Sequence, residues 1–132
     1  MGVKAGFDAA ANRGPCEGIP DERIESIRRV LDRIGDKWSL LVIGVLATGP
    51  LRYTDLNRQV PGISQRMLTL TLRQLQNDGL VARSAHAEVP PRVEYALTPL
   101  GSGLLDSVTN LVQWASDHHA AIRQHRTAGT AN

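Results

Sequence analysis

The chain has 132 residues, 42% of them hydrophobic and 21% charged, with a formal net charge of +2. That length suits one domain with a core of its own and leaves little room for a second, and the mildly basic balance permits a polyanionic partner without demanding one. The longest apolar stretch, Leu40 to Ala47, is too short to span a bilayer; the opening MGVKAGFDAAANRGP lacks the apolar run of a signal peptide; and a lone cysteine, Cys16, cannot close an internal disulfide. A reducing cytoplasm is the expected location.

Residues 1–20 are rich in Ala, Gly and Pro and carry no helical period, so they are expected to form a flexible arm. A first helix is predicted from about Asp21 to Ile34. Ile24, Ile27, Leu31 and Ile34 recur at spacings of three and four, while Asp21, Glu22 and Glu25 occupy the end where the helix dipole favours carboxylates. Gly35 ends it. A second helix, about Lys37 to Thr48, is apolar nearly all round and belongs at the centre of the core; Gly49-Pro50 stops it.

Tyr53 to Val60 reads as a short helix with Tyr53, Leu56 and Val60 inward, closed by Pro61-Gly62. Ser64 is a good N-cap for a third periodic segment, Gln65 to Asp78, with Gly79 as its C-cap. Two short amphipathic helices joined by a tight turn make a helix-turn-helix. Leu80 to Glu88 and Arg92 to Leu97 then read as two strands turning at Val89-Pro90-Pro91, with Val93, Tyr95 and Leu97 on one face and Glu94 and Ala96 on the other. A hairpin placed there is a wing. Thr98 caps a final helix with Pro99 at its first position, running through Leu100, Leu104, Leu105, Val108, Leu111, Val112 and Ala115 to about Arg123. The expected fold is mainly α with a small β-hairpin, a winged helix-turn-helix domain over 21–123, followed by a flexible tail at 124–132.

On the third helix of this domain's core, Leu68, Leu72 and Leu75 cluster with Met67 and Thr71 on one side, and Gln65, Arg66, Thr69 and Arg73 fall on the other. Arg bonds guanine O6 and N7 together, Gln bonds adenine N6 and N7, and a Thr methyl meets thymine. An ordinary solvated helix face fits the same residues; the tight turn before it and the hairpin after it favour double-stranded DNA. Leu70 lies at the edge of this face, suited to a thymine methyl or, more blandly, to packing on Tyr53 or a neighbouring helix. Ser64 begins the helix and is counted with Gln65, Arg66, Thr69 and Arg73 among the candidate DNA contacts. Arg92, just past the wing-tip prolines, is expected to meet DNA backbone or the minor groove, with a salt bridge to Glu88 or Glu94 as the alternative. Arg52 and Arg58 bracket the first helix of the motif as phosphate contacts, and Arg83 and His86 are weaker ones.

The segments GDKWSLLVIGVLATGPLRYTDL, PGISQRMLTLTLRQLQNDGLVAR and EVPPRVEYALTPLG resemble the HxlR-type regulators, whose architecture is related to that of the MarR group; the likeness covers about Ile24 to Trp114. The resemblance implies a DNA-binding transcriptional regulator, homodimeric through its first and last helices, and in many members a response to a small-molecule effector such as an aldehyde, quinone or oxidant. The seams Ile24, Ile27, Leu31 and Leu104, Val108, Leu111, Ala115 agree, being more apolar surface than a small winged domain can cover. A (pseudo)palindromic operator follows from such symmetry. Two departures stand out. Where sensing members carry a Cys-Pro pair this chain has Glu25-Ser26, and Cys16, beside the acidic Glu17, lies nine residues upstream. Leu70 and Thr71 replace residues that are frequently polar in the family.

No nucleophile-and-base signature or phosphate-binding glycine loop is present, so an enzyme is not expected and no cofactor is implied. Asp117, His118, His119 and His125 offer a metal-responsive regulator as an alternative, though their spacing is loose and no cysteine joins them; a solvated helix end fits better. A dimerisation module without DNA binding would explain the end helices but not the arginine-bearing face.

Overall fold

The computed structural model describes residues 14–131. Most of the predicted arm, residues 1–13, lies outside them; Gly14–Cys16 form a single turn of 3-10 helix. The chain divides after Gly35 into two units.

The first unit carries α1, Asp21–Ile34. Asp21 and Glu22 sit in its first turn and Arg33 in its last, the arrangement that opposes the helix dipole at both ends. Gly35 donates its N–H to the Leu31 carbonyl at 2.9 Å and closes the helix. Along the apolar seam only Ile24 is buried; Ile27 is half-buried and Leu31 is 58% exposed.

The second unit opens with Asp36, which caps α2 (Lys37–Val45): its carboxylate accepts from the Trp38 N–H at 3.2 Å and from the Ser39 hydroxyl at 2.8 Å. The predicted helix to Thr48 tightens into a 3-10 turn over Leu46–Thr48. A two-residue strand, β1 (Leu51–Arg52), leads into α3 (Tyr53–Gln59), and α4 (Gln65–Asn77) follows the Pro61-Gly62 turn. α4 is capped at both ends. The Ser64 hydroxyl accepts from the Met67 N–H at 3.0 Å. At the other end Gly79, at φ +76°, lets the Leu80 N–H reach the Leu75 carbonyl and the Gly79 N–H reach that of Gln76, which is the Schellman arrangement.

The wing is β2 (Val81–His86) and β3 (Arg92–Leu97), antiparallel from Val81 opposite Leu97 to His86 opposite Arg92. β1 adds to the outer edge of β3, Leu51 opposite Tyr95, giving a three-stranded sheet in the order β1-β3-β2. Sequence reading misses β1 because two residues carry no period. The added strand also explains why β3 does not alternate cleanly between a buried and a solvated face: all six of its residues are half-buried.

Val42, Ile43, Leu46, Leu56, Val60, Leu68, Leu72 and Leu75 are each at most 2% exposed and form one cluster from α2, α3 and α4 and the residues that directly follow α2 and α3. Leu80 and Val81 extend it to the wing, and Tyr95, Leu97, Leu104 and Leu105 pack against it. Burial of this kind stabilises by about 1.5–3 kcal/mol per large aliphatic side chain, so it fixes the two helices of the motif relative to one another. The result is a winged helix-turn-helix.

α5, Pro99–Asp117, starts at Thr98, whose hydroxyl accepts from the Gly101 N–H at 3.0 Å and donates to the Gly79 carbonyl at 2.6 Å. A methyl group at Gly101 would stand 2.1 Å from the Leu80 carbonyl oxygen, so only glycine allows this approach of helix and strand backbone. The final helix does not run on to Arg123 as its period suggests. It breaks at His118, and α6 (His119–Ala131) turns most of the predicted tail at 124–132 into helix. Among the described residues no helix is long and apolar enough to cross a membrane.

Candidate nucleic-acid interface

α4 sorts its side chains as its sequence predicts. Leu68, Thr71, Leu72 and Leu75 are buried, and Gln65, Arg66, Thr69 and Arg73 are exposed on the opposite side. The helix contains no acidic residue, and among the described residues neither Arg66 nor Arg73 is in an ion pair. Two uncommitted guanidinium groups on one helix face can meet a polyanion without first giving up a partner. Tyr53, Gln65, Arg66, Thr69, Leu70 and Arg73 line one shallow concavity. Arg83 of β2 joins Tyr53, Thr69 and Arg73 along an adjoining one, so a further exposed cation borders the same surface.

Tyr53 holds α4 at its N-terminal turn. Its phenol donates to the Gln65 carbonyl at 2.8 Å and lies 3.0 Å from the Thr69 hydroxyl. With the single phenolic proton committed to Gln65, Thr69 is the donor in the second contact. Sequence reading places Tyr53 inward for its ring and misses this hydroxyl. A tyrosine at the start of the first motif helix, its ring turned inward and its hydroxyl in need of a partner, is the signal that points to it.

Other predicted contacts are already engaged. The Ser64 hydroxyl is spent on its cap. Arg58 is bound by Asp55, one turn before it in α3. Arg52 is exposed on β1, where it stands opposite Glu94 in the sheet register. Arg92 is not the free guanidinium expected at the wing tip; its Nη2 lies 3.0 Å from Glu88 and its Nε 3.7 Å from Glu94, the salt-bridge alternative for this residue. His86 shares Glu94 at 3.4 Å. The tip thus gathers two carboxylates around one arginine: Glu94 lies two residues on along the same face of β3, and Glu88 closes on Arg92 across the turn. Val89, at the turn, is fully exposed.

On α5, Leu104 and Val108 are half-buried, Ala115 is exposed, and Leu111, Val112 and Trp114 are at least half exposed. Trp114 stacks on His118 with ring centroids 4.6 Å apart, and His118 Nδ1 lies 2.8 Å from the Trp114 carbonyl oxygen. The helix break at His118 puts Asp117 on α5 and His119 and His125 on α6. Among the described residues no three His, Cys, Asp or Glu side chains converge as metal ligands would.

The family described as HxlR-like helix-turn-helix matches residues 33–123. An uncharacterized HTH-type transcriptional regulator of Methanothermobacter thermautotrophicus is 45% identical over 94 residues, covering 71% of this chain and 72% of the relative. The HTH-type regulator YtfH of Escherichia coli is 38% identical over 104 residues, covering 76% and 82%. Among solved structures, a chain ascribed to the MarR family of transcriptional regulators from Enterococcus faecalis superposes with a TM-score of 0.70 at 38% identity, covering 81% of this chain and 96% of its own. The redox regulator HypR in its reduced form superposes with a TM-score of 0.68 at 37% identity, covering 74% and 97%.

Proposed function

We propose, for a chain that belongs to the HxlR-like helix-turn-helix family of transcriptional regulators, that it binds a (pseudo)palindromic DNA operator as a homodimer, with α4 in the major groove. The observation that carries this reading is the outer face of α4: Gln65, Arg66, Thr69 and Arg73 exposed together, the two arginines in no ion pair among the described residues, on a helix with no acid. Base recognition rests on Gln65 and Arg66, since helices of this motif enter the groove by their N-terminal end. Arg73, two turns on, and Arg83 at the wing base suit phosphate, whose neutralisation supplies the sequence-independent part of the affinity. Arg52 remains an exposed candidate for the same role, while Arg58 and Arg92 would each have to release a carboxylate.

Homodimer formation is supported by apolar surface that a single chain leaves uncovered. Leu31 on α1 and Leu111, Val112 and Trp114 on α5 are each at least half exposed, and stripes of that kind usually mark an interface. Two copies of α4 would then read half-sites about one helical turn, 34–36 Å, apart. The test takes the full chain, selects its preferred duplex from a random-sequence pool, and measures mass by light scattering with and without that duplex. A palindromic consensus bound by two chains is expected. A monomer on a single half-site would overturn the dimer, and a pool that yields no consensus would overturn sequence-specific binding.

A further inference from the structure

We infer that Leu70 is a specificity-determining residue of α4 that reads the C5-methyl group of a thymine. The inference rests on the placement of α4 in the major groove and adds to it a base that the polar residues of the face do not account for.

Leu70 is 44% exposed, unlike Leu68, Leu72 and Leu75 of the same helix, each at most 2% exposed. The core does not need it. It stands one turn after Arg66 and one turn before Arg73, so it shares their face, and it lines the concavity formed with Tyr53, Gln65, Arg66, Thr69 and Arg73. The alternative that it packs away against Tyr53 or a neighbouring helix does not agree with that exposure. An apolar side chain between two unpaired cations is poorly suited to an apolar protein partner, because docking would strand both charges. It is well suited to DNA, where the phosphates take the charges and the groove floor takes the leucine.

The base follows from what leucine cannot do. It has neither donor nor acceptor, so opposite guanine, adenine or cytosine it would cover a polar base edge and leave it unpaired, at a cost. Thymine alone presents an apolar group, its C5-methyl, in the major groove. One turn of helix advances 5.4 Å and one base step about 3.4 Å. The thymine should therefore lie within about two base pairs of the base that Arg66 reads.

The experiment begins with the duplex selected by the full-length protein and replaces each thymine in turn by deoxyuridine, which removes the methyl group and nothing else. Affinities are measured for wild type, Leu70→Ala and Leu70→Gln, each first checked for an unchanged circular dichroism spectrum and melting temperature. At one thymine per half-site the wild type should lose about fourfold in affinity, the worth of one buried methyl, and Leu70→Ala should bind both duplexes equally. Leu70→Gln should move the preference at that base pair toward adenine. Wild-type binding that is indifferent to every deoxyuridine, or a methyl effect that survives in Leu70→Ala, overturns the inference while leaving DNA binding intact. Failure to select any duplex removes the major-groove placement and the inference with it.

Discussion

The Tyr53 phenol donates to the Gln65 carbonyl at 2.8 Å and meets the Thr69 hydroxyl at 3.0 Å, so the first helix of the motif grips the second at the turn that would enter the groove. The ring of Tyr53 packs against the core and its hydroxyl sets where the α4 N-terminus stands. The contact also engages the hydroxyl of Thr69, which is exposed on the same face as Gln65 and Arg66.

Tyr53→Phe should therefore keep the fold and blur recognition. An exposed hydrogen bond of this kind contributes about 0.5–1.5 kcal/mol, and the loss should appear as a modest fall in the denaturant midpoint with an unchanged slope. Affinity for the selected duplex should fall, while affinity for random DNA, which rests on phosphate contacts, should hold. Equal losses on both kinds of DNA would show that Tyr53 itself touches the backbone rather than positioning α4.

Gly101 offers a sharper stability test, because a second glycine on the same helix serves as its control. A methyl at Gly101 would stand 2.1 Å from the Leu80 carbonyl oxygen, a backbone atom that also accepts from the Thr98 N–H, whereas Gly103 has nothing within 4 Å. Gly101→Ala should cost about 1–3 kcal/mol by forcing α5 away from the wing base. Gly103→Ala should stabilise by up to about 1 kcal/mol through helix propensity alone. Thermal unfolding of both variants at one fixed protein concentration decides the matter; similar melting temperatures would mean that the Leu80 contact relaxes freely.

Much of this architecture is legible from side-chain period and caps. α1, α3, α4 and the hairpin fall where three-and-four spacing, Ser64, Gly79 and the proline pair put them, because each depends on local chemistry. What escapes depends on partners distant in sequence or on breaks without a strong marker. β1 exists only because β3 offers it an edge, and His118 interrupts a helix that neither Gly nor Pro announces. The α4 face is legible for the same reason as the helix: one side must be buried, so the polar side is known. The wing tip is less so. Arg92 stands three residues beyond Val89 with two glutamates near it in sequence, and the path of the turn, which local period does not set, decides that Glu88 joins Glu94 on it.

That pairing changes what the wing should contribute to DNA binding. Arg92 is 31% exposed and sits between Glu88 and Glu94, so the three side chains together carry an excess of negative charge. A cation already matched by carboxylates displaces few counterions from DNA, and the second carboxylate opposes the approach of a phosphate. Arg92→Ala should thus leave the dependence of log affinity on log salt nearly unchanged. Glu88→Gln should leave the guanidinium only its longer contact to Glu94, raise affinity for specific and random duplexes alike, and steepen that dependence by up to about one unit. Arg66→Ala should behave differently from both. Among the described residues its guanidinium is in no ion pair, and loss of a bidentate base contact costs about 1–3 kcal/mol on the selected site while relaxing preference at one base pair. Binding isotherms for the three variants on selected and random DNA, over a series of salt concentrations, separate these roles. If Arg92→Ala flattens the salt dependence by a full unit, the tip arginine leaves Glu88 for phosphate in the complex, and the wing is a backbone clamp despite its carboxylates.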